Sequence, residues 1–188
     1  AYAYAPNNTT NFFGRGNETG YVKVGEHIKY HRIRYNTFFV NPSIRWNLDS
    51  GVNISAGPAF QYYSYDSSNN VGRFIHNKFQ IHSYDSNSIG EAKAHAGVII
   101  GFISDKRNSP ILTRSGYFLS IKAQGYTGLN DYSEDFLQII PELSVYKNII
   151  RKPAVVISDR VGGAITMGKT AWYQSAFLGG HENLLGYR

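Results

Sequence analysis

The sequence predicts an all-β chain of antiparallel strands, and three observations predict it. Apolar and polar residues alternate with a period of two through much of the chain, clusters of Asn, Asp, Ser and Gly separate the runs, and no run reads as a convincing helix. The composition agrees. Of 188 residues 15% are aromatic, with 15 Tyr and 11 Phe against a single Met, and 17% are charged, where soluble domains carry about 25%.

Taken in order, a weak strand signal over 28–36 precedes the first clear one. Phe38, Val40, Pro42, Ile44, Trp46 and Leu48 share one parity, against Thr37, Phe39, Asn41, Ser43, Arg45, Asn47 and Asp49 on the other. Asp49-Ser50-Gly51 is a tight-turn sequence in which Gly can take positive φ, so the next run forms a hairpin with it. That run sets Val52, Ile54, Ala56, Pro58, Phe60 and Tyr62 against Asn53, Ser55, Gly57, Ala59, Gln61 and Tyr63. Weaker strands are expected at 72–83 and 92–104. Tyr117, Leu119, Ile121 and Ala123 then oppose Phe118, Ser120, Lys122 and Gln124, predicting a strand over 116–128. Leu137, Ile139, Pro141, Leu143 and Val145 oppose Gln138, Ile140, Glu142, Ser144 and Tyr146, predicting one over 135–147, and a last one falls at 153–166. The total is about eight to ten strands. Connectors such as Ser67-Ser68-Asn69-Asn70 and Asn130-Asp131 are polar breakers. Pro42, Pro58 and Pro141 fall inside alternating runs, where each removes a ladder donor, and so mark bulges or locally opened pairing.

A sheet of this size must pack on a second sheet or close into a barrel. A soluble barrel or sandwich turns its apolar parity inward, and a transmembrane barrel turns it to lipid. Three details favour lipid. The polar parity mixes small or hydrogen-bonding residues (Asn53, Ser55, Gly57, Gln61) with bulky charge (Arg45, Glu142), as a lumen tolerates. Tyr62, Tyr63 and Tyr65 cluster at a strand end, which suits an interfacial aromatic girdle. Six alternating positions span about 36 Å of strand, which a tilt near 45° projects to about 25 Å, the height of an outer-membrane apolar band. The reading is therefore one antiparallel transmembrane β-barrel domain over 1–188.

Zero Cys excludes a disulfide framework, thiol catalysis and zinc-thiolate sites, and is compatible with passage through an oxidising periplasm. The net charge of +6 rests on scattered Lys and Arg, so nucleic acid is not expected as a partner. The longest apolar-looking run, Gly97 to Ile103, is too short for a membrane helix. Ala1 to Pro6 lacks the basic and long apolar regions of a signal peptide, so a mature or excised chain is expected.

Catalytic motifs are missing. Gly14-x-Gly16 with Gly20 is not a dinucleotide fingerprint, and a loop needing positive φ is the better reading. His27 and His31, two of six His, would lie about 13 Å apart on a strand, too far for one ion. Asp159 and Arg160 point to opposite faces of a strand, and Glu142 reads as a lumen residue paired with Lys or Arg rather than a general acid. There is no nucleophile elbow, phosphate loop or paired-His zinc helix. Neither an enzyme nor a cofactor or metal site is expected.

Three short motifs carry a resemblance. Phe177-Leu178-Gly179-Gly180-His181-Glu182-Asn183-Leu184-Leu185-Gly186-Tyr187-Arg188 resembles the lid-loop signature of the BamA/TamA outer-membrane barrel superfamily, the bacterial surface antigen domain. Asn11-Phe12-Phe13-Gly14-Arg15-Gly16-Asn17 is similar to the segment that follows that family's first barrel strand. Asp105-Lys106-Arg107-Asn108, with Thr113-Arg114-Ser115-Gly116-Tyr117, resembles its turn between two strands. The resemblance implies a barrel of about sixteen strands, of which this chain holds part and is incomplete at the C-terminus. It also implies a bacterial outer-membrane location and a role in outer-membrane protein assembly or protein translocation. The partners would be outer-membrane lipid, client or cargo proteins, and other assembly or secretion subunits. Gly179, Gly180 and Gly186 would fold the lid back into the lumen, with Phe177 and Tyr187 as apolar anchors. Two positions depart from the pattern: Leu185 stands where the family has Arg, and Leu112 where it has Pro. The loss of that Arg slightly favours an alternative, in which the barrel anchors or secretes a larger protein with an upstream phosphoesterase or patatin-like domain. A soluble β-barrel that binds a small ligand is the third reading.

Overall fold

Period-two alternation becomes nine strands in one antiparallel sheet. The structure, a computed structural model, describes residues 2–13, 29–76, 88–150 and 155–175. The strands are β1 (Tyr2–Asn11), β2 (Arg32–Val40), β3 (Ile44–Asp49), β4 (Val52–Tyr65), β5 (Lys93–Asp105), β6 (Gly116–Gly128), β7 (Phe136–Ile150), β8 (Val155–Gly162) and β9 (Ile165–Gly168). Among the described residues there is no α-helix, and short 3-10 turns occur at Ser68–Asn70, Phe74–His76 and Trp172–Gln174.

The strand order is β1-β2-β4-β5-β6-β7-β8, with β3 also on β4 and β9 also on β7. β2 pairs with residues 60–65 of β4 and β3 with residues 52–56, so the two occupy one row interrupted at 41–43. β8 and β9 likewise share a row beside β7, interrupted at 163–164. The result is an up-and-down meander of seven rows. Among the described residues the sheet is not closed: β1 forms one edge and the β8/β9 row the other.

Both interruptions are explained by proline. Pro42 lies in the first gap, and Pro58 stands opposite it, between Ala56, which pairs with Ile44, and Phe60, which pairs with Val40. A ladder donor is not needed at either position. Gly57 lets the chains approach there, since a side chain would place its Cβ 1.9 Å from the Pro42 carbonyl oxygen. Pro141 stands opposite the second gap, and its carbonyl accepts from the Gly163 N–H at 3.1 Å. The expected opened pairing is thus placed in the neighbouring rows.

The strands at 52–63, 92–104, 116–128 and 135–147 are found with ends shifted by no more than three residues. Other expectations need correction. The run from Thr37 to Asp49 is broken at Pro42, and β2 reaches back to Arg32 across the limit expected between two strands. The run at 153–166 is two strands, because Gly163-Ala164 leave the ladder opposite Pro141. Phe74–His76 is a 3-10 turn rather than strand, since Phe74 and Ile75 bury their side chains in an aromatic core; 77–83 lies outside the described residues. β1 was not read from alternation, because Pro6 and Asn8 interrupt its pattern, and only the motif beginning at Asn11 implied a strand before it; the register with β2 shifts between Ala5 and Asn8.

The two ends of the sheet differ. One carries the connections 50–51, 106–115 and 151–154, none above ten residues, and is the turn end; the other, the loop end, carries 129–135 and the two longest, 12–31 and 66–92. The main core sits on one face at the loop end, where Phe12, Ile33, Tyr63, Phe74, Ile75, Ile89 and Trp172 cluster.

Candidate functional site

Register decides which residues share a face. Ile54 pairs with Phe102, which pairs with Ile121, which pairs with Pro141; Ala56, Ile100, Ala123 and Ile139 form the next row. Along β4 to β7 this outer face carries no charged residue from Val52 to Tyr62, Ala94 to Phe102, Tyr117 to Thr127 or Leu137 to Val145. The opposite face carries Asn53, Ser55 and Gln61 from β4, Lys93 and His95 from β5, Ser120, Lys122 and Gln124 from β6, and Gln138, Glu142 and Ser144 from β7.

Burial runs against polarity at several positions, beside a buried apolar cluster of Ala59, Ile99, Tyr126 and Phe136 on the inner face. Val98, Ile100, Leu137 and Val145 are 51%, 46%, 42% and 45% exposed, whereas Gln138 and His95 retain 3% and 1%. Water-soluble sheets bury the apolar parity, so exposed large apolar residues in rows and buried polar ones are the informative departure. The sets expected to face lipid (Val52, Ile54, Phe60, Leu137, Ile139, Leu143, Val145) and the interior (Asn53, Ser55, Gln61, Gln138, Glu142) do fall on opposite faces of the sheet.

The polar face carries a network of side-chain contacts. Glu142 pairs with Arg160 at 2.9 Å, while Asp159 lies on the other face opposite Val145, as expected for both. Gln124 donates to Gln138 at 2.7 Å, and Gln138 donates to Thr166 at 3.0 Å and to the Gln174 carbonyl at 3.4 Å. Gln174 in turn donates to Gln61 at 3.1 Å and lies 3.4 Å from His95 Nδ1. Segment 171–175 therefore crosses the inner face as a strap, joined to β4 and β5 through the Gln174 side chain and to β7 through the Gln174 carbonyl. Trp172 fixes it at the loop end, packed edge-on against Tyr35 and Tyr63, while Tyr173 stacks on Tyr63 with centroids 4.4 Å apart. Burial pushes the Tyr173 hydroxyl above its ordinary value. This strap escaped the sequence reading. Its one signal is Trp172-Tyr173, a pair of large aromatics just past the last strand.

The turn motif holds together. Asp105 ends β5 and Gly116 begins β6. Arg107 donates to both Asp105 carboxylate oxygens, at 2.8 and 2.7 Å, and lies 4.9 Å above the Phe118 ring. That pair holds the Arg107 pKa above its usual value. Asn108 accepts from the N–H groups of Arg114 and Ser115, and Lys106 reaches across to Asp49 at 2.9 Å. Gly14, Gly16, Phe177, Gly179, Gly180, Leu185, Gly186 and Tyr187 lie outside the described residues. Among the described residues no three His, Asp or Glu come together as metal ligands. No protein-family model, curated protein or solved structure matches this chain.

Proposed function

We propose that the chain is part of an outer-membrane β-barrel of the BamA/TamA-like kind, its apolar face against lipid and its polar face toward a lumen, acting in outer-membrane protein assembly or protein translocation. One observation carries the membrane reading: across four successive strands the outer parity sets large exposed apolar residues in rows with no charge among them, while the charged residues Lys93, Lys122 and Glu142 lie on the inner face beside a buried cluster of Ala59, Ile99, Tyr126 and Phe136. In water each exposed Ile or Leu forgoes about 1.5–3 kcal/mol of burial, a cost that lipid removes. The two longest connections, 12–31 and 66–92, lie at one end, which supports the same reading, because membrane barrels keep their longer loops on the outer side. The seven rows would then be continued by further strands that close the sheet. The assembly role rests on the motif resemblance, which the ordered Asp105–Arg107 turn supports.

The test is reconstitution of the full chain into phosphatidylcholine vesicles, followed by addition of an unfolded outer-membrane barrel protein. The expected results are a folded, protease-protected chain and faster insertion of the added client. Insertion without faster client folding would favour the anchor or secretion reading, and a folded chain that stays in solution would favour a soluble ligand-binding protein.

A further inference from the structure

Beyond the apolar band, at the loop end, the outer face changes character over a few residues of β2. Tyr4, Phe38 and Tyr62 form one cross-strand row on this face. Asn36 and Ser64 follow as the next pair outward, and Arg34 and Arg32 come after, on the same parity as Phe38. The inward parity there holds Ile33, which is buried in the aromatic core, so the two arginines point away from it.

A third arginine is brought to them by a dedicated contact. β2 has no strand partner on its β4 side beyond Tyr35, and the buried Asn70 takes that place. Its side-chain oxygen accepts from the Arg34 N–H at 2.8 Å, and its amide donates to the Arg34 carbonyl at 2.8 Å. The connection is thereby pinned beside β2, and Arg73 donates to the Arg32 carbonyl at 2.5 Å. Burial, then the nearby Arg34 and Arg32 charges, holds the Arg73 guanidinium below its usual value. No described carboxylate forms an ion pair with Arg32, Arg34 or Arg73. Like charges gathered without a counter-charge repel one another, so the arrangement is suited to a bound anion. An aromatic row followed by arginines, at the end with long connections, is where phosphorylated headgroups of the outer leaflet would lie.

We infer that Arg32, Arg34 and Arg73 form a docking site for a phosphate-bearing lipid headgroup at the external rim of the sheet. The inference rests on the membrane reading and adds to it a lipid class and a position. Guanidinium groups bind phosphate oxygens through paired N–H donors, and an arginine near an anionic surface contributes about fivefold in affinity.

The experiment uses the full chain folded in phosphatidylcholine vesicles with or without lipid A, which carries two phosphates. Affinity is read by titrating lipid A and weighing the complexes by native mass spectrometry. The variant is R32Q/R34Q, in which the backbone contacts to Asn70 and Arg73 are kept; K147Q, on the outer face at the turn end, is the control. We expect the double variant to insert normally and to bind lipid A about 25-fold more weakly, at about fivefold per arginine, with K147Q unchanged. Equal affinity of the double variant and the parent, both inserted, overturns the site while leaving the membrane reading intact. Failure of the parent to insert in phosphatidylcholine overturns both. Arginine-dependent binding of inorganic phosphate as tight as that of lipid A assigns the cluster to a free anion and overturns the lipid.

Discussion

Ile121 and Ser120 are chain neighbours with opposite surroundings. Ile121 lies on the outer face in the row of Phe102 and Pro141, within the apolar band, and Ser120 lies on the inner face opposite Glu142. Ile121→Arg should destabilise the folded chain in vesicles by about 2–4 kcal/mol, the cost of arginine near a bilayer midplane, while Ser120→Arg meets a carboxylate and should cost far less. Urea unfolding in vesicles checks this, and equal penalties would contradict the assignment of faces. Gln174 is the corresponding test of the polar face. Its side chain joins Gln61 and His95 to the strap, so Gln174→Ala keeps the carbonyl contact to Gln138 but leaves the buried His95 short of a partner and should cost about 1–3 kcal/mol, with faster hydrogen exchange at 171–175. An unchanged exchange rate would mean that Trp172 alone holds the strap.

At the scale of elements, turns and breaks set the register. Gly116 begins β6 at φ 109, and a side chain there would put its Cβ 2.2 Å from the Lys106 carbonyl oxygen. Gly116→Ala should therefore cost about 1–3 kcal/mol and loosen the Asp105–Arg107 turn, which unfolding and amide exchange at 106–115 would reveal. At the loop end Asp135 accepts from Thr127 at 2.9 Å and from the Gly128 N–H at 2.8 Å, and these bonds, Gly128 first, hold its carboxyl below the ordinary value. A lowered folded pKa stabilises above the unfolded value of about 3.9 and is lost as pH falls through the folded one. The stability gap between the parent and Asp135→Asn should narrow as pH falls below about 3.9 and through the folded value, and a gap that persists in strong acid would rule out this linkage. The central strands were legible because alternation survives wherever one face is apolar, and the prolines announced the breaks without showing which neighbour they interrupt. β1 and the strap were not legible. β1 gains its register from β2, and Gln174 takes its role from three strands distant in sequence. The turn motif could be read because its partners are within a few residues; the basic cluster could not, since Arg73 joins Arg32 through a long connection.

For the molecule as a whole, the height of the apolar face is the quantity that must match its surroundings. On β4 the face runs from Val52 to Tyr62, bounded at the loop end by the row of Tyr4, Phe38 and Tyr62, with Trp46 and Tyr117 toward the turn end. Eleven residues rise about 36 Å along the strand, which a tilt near 45° reduces to about 25 Å of membrane. That is less than the roughly 30 Å hydrocarbon core of an average bilayer, and each ångström of mismatch costs a fraction of a kcal/mol. Beyond the band the outer face holds Arg34 at one end and Lys147 and Asp159 at the other, so a thicker bilayer would draw charge into hydrocarbon rather than only strain the lipid. The full chain should accordingly insert faster, and to higher folded yield, into vesicles of twelve-carbon phosphatidylcholine than into those of eighteen-carbon lipid. Replacing Arg34, Lys147 and Asp159 by neutral residues should narrow the difference. Equal or better insertion into the thicker bilayer would show that the exposed apolar face is covered by protein rather than by lipid.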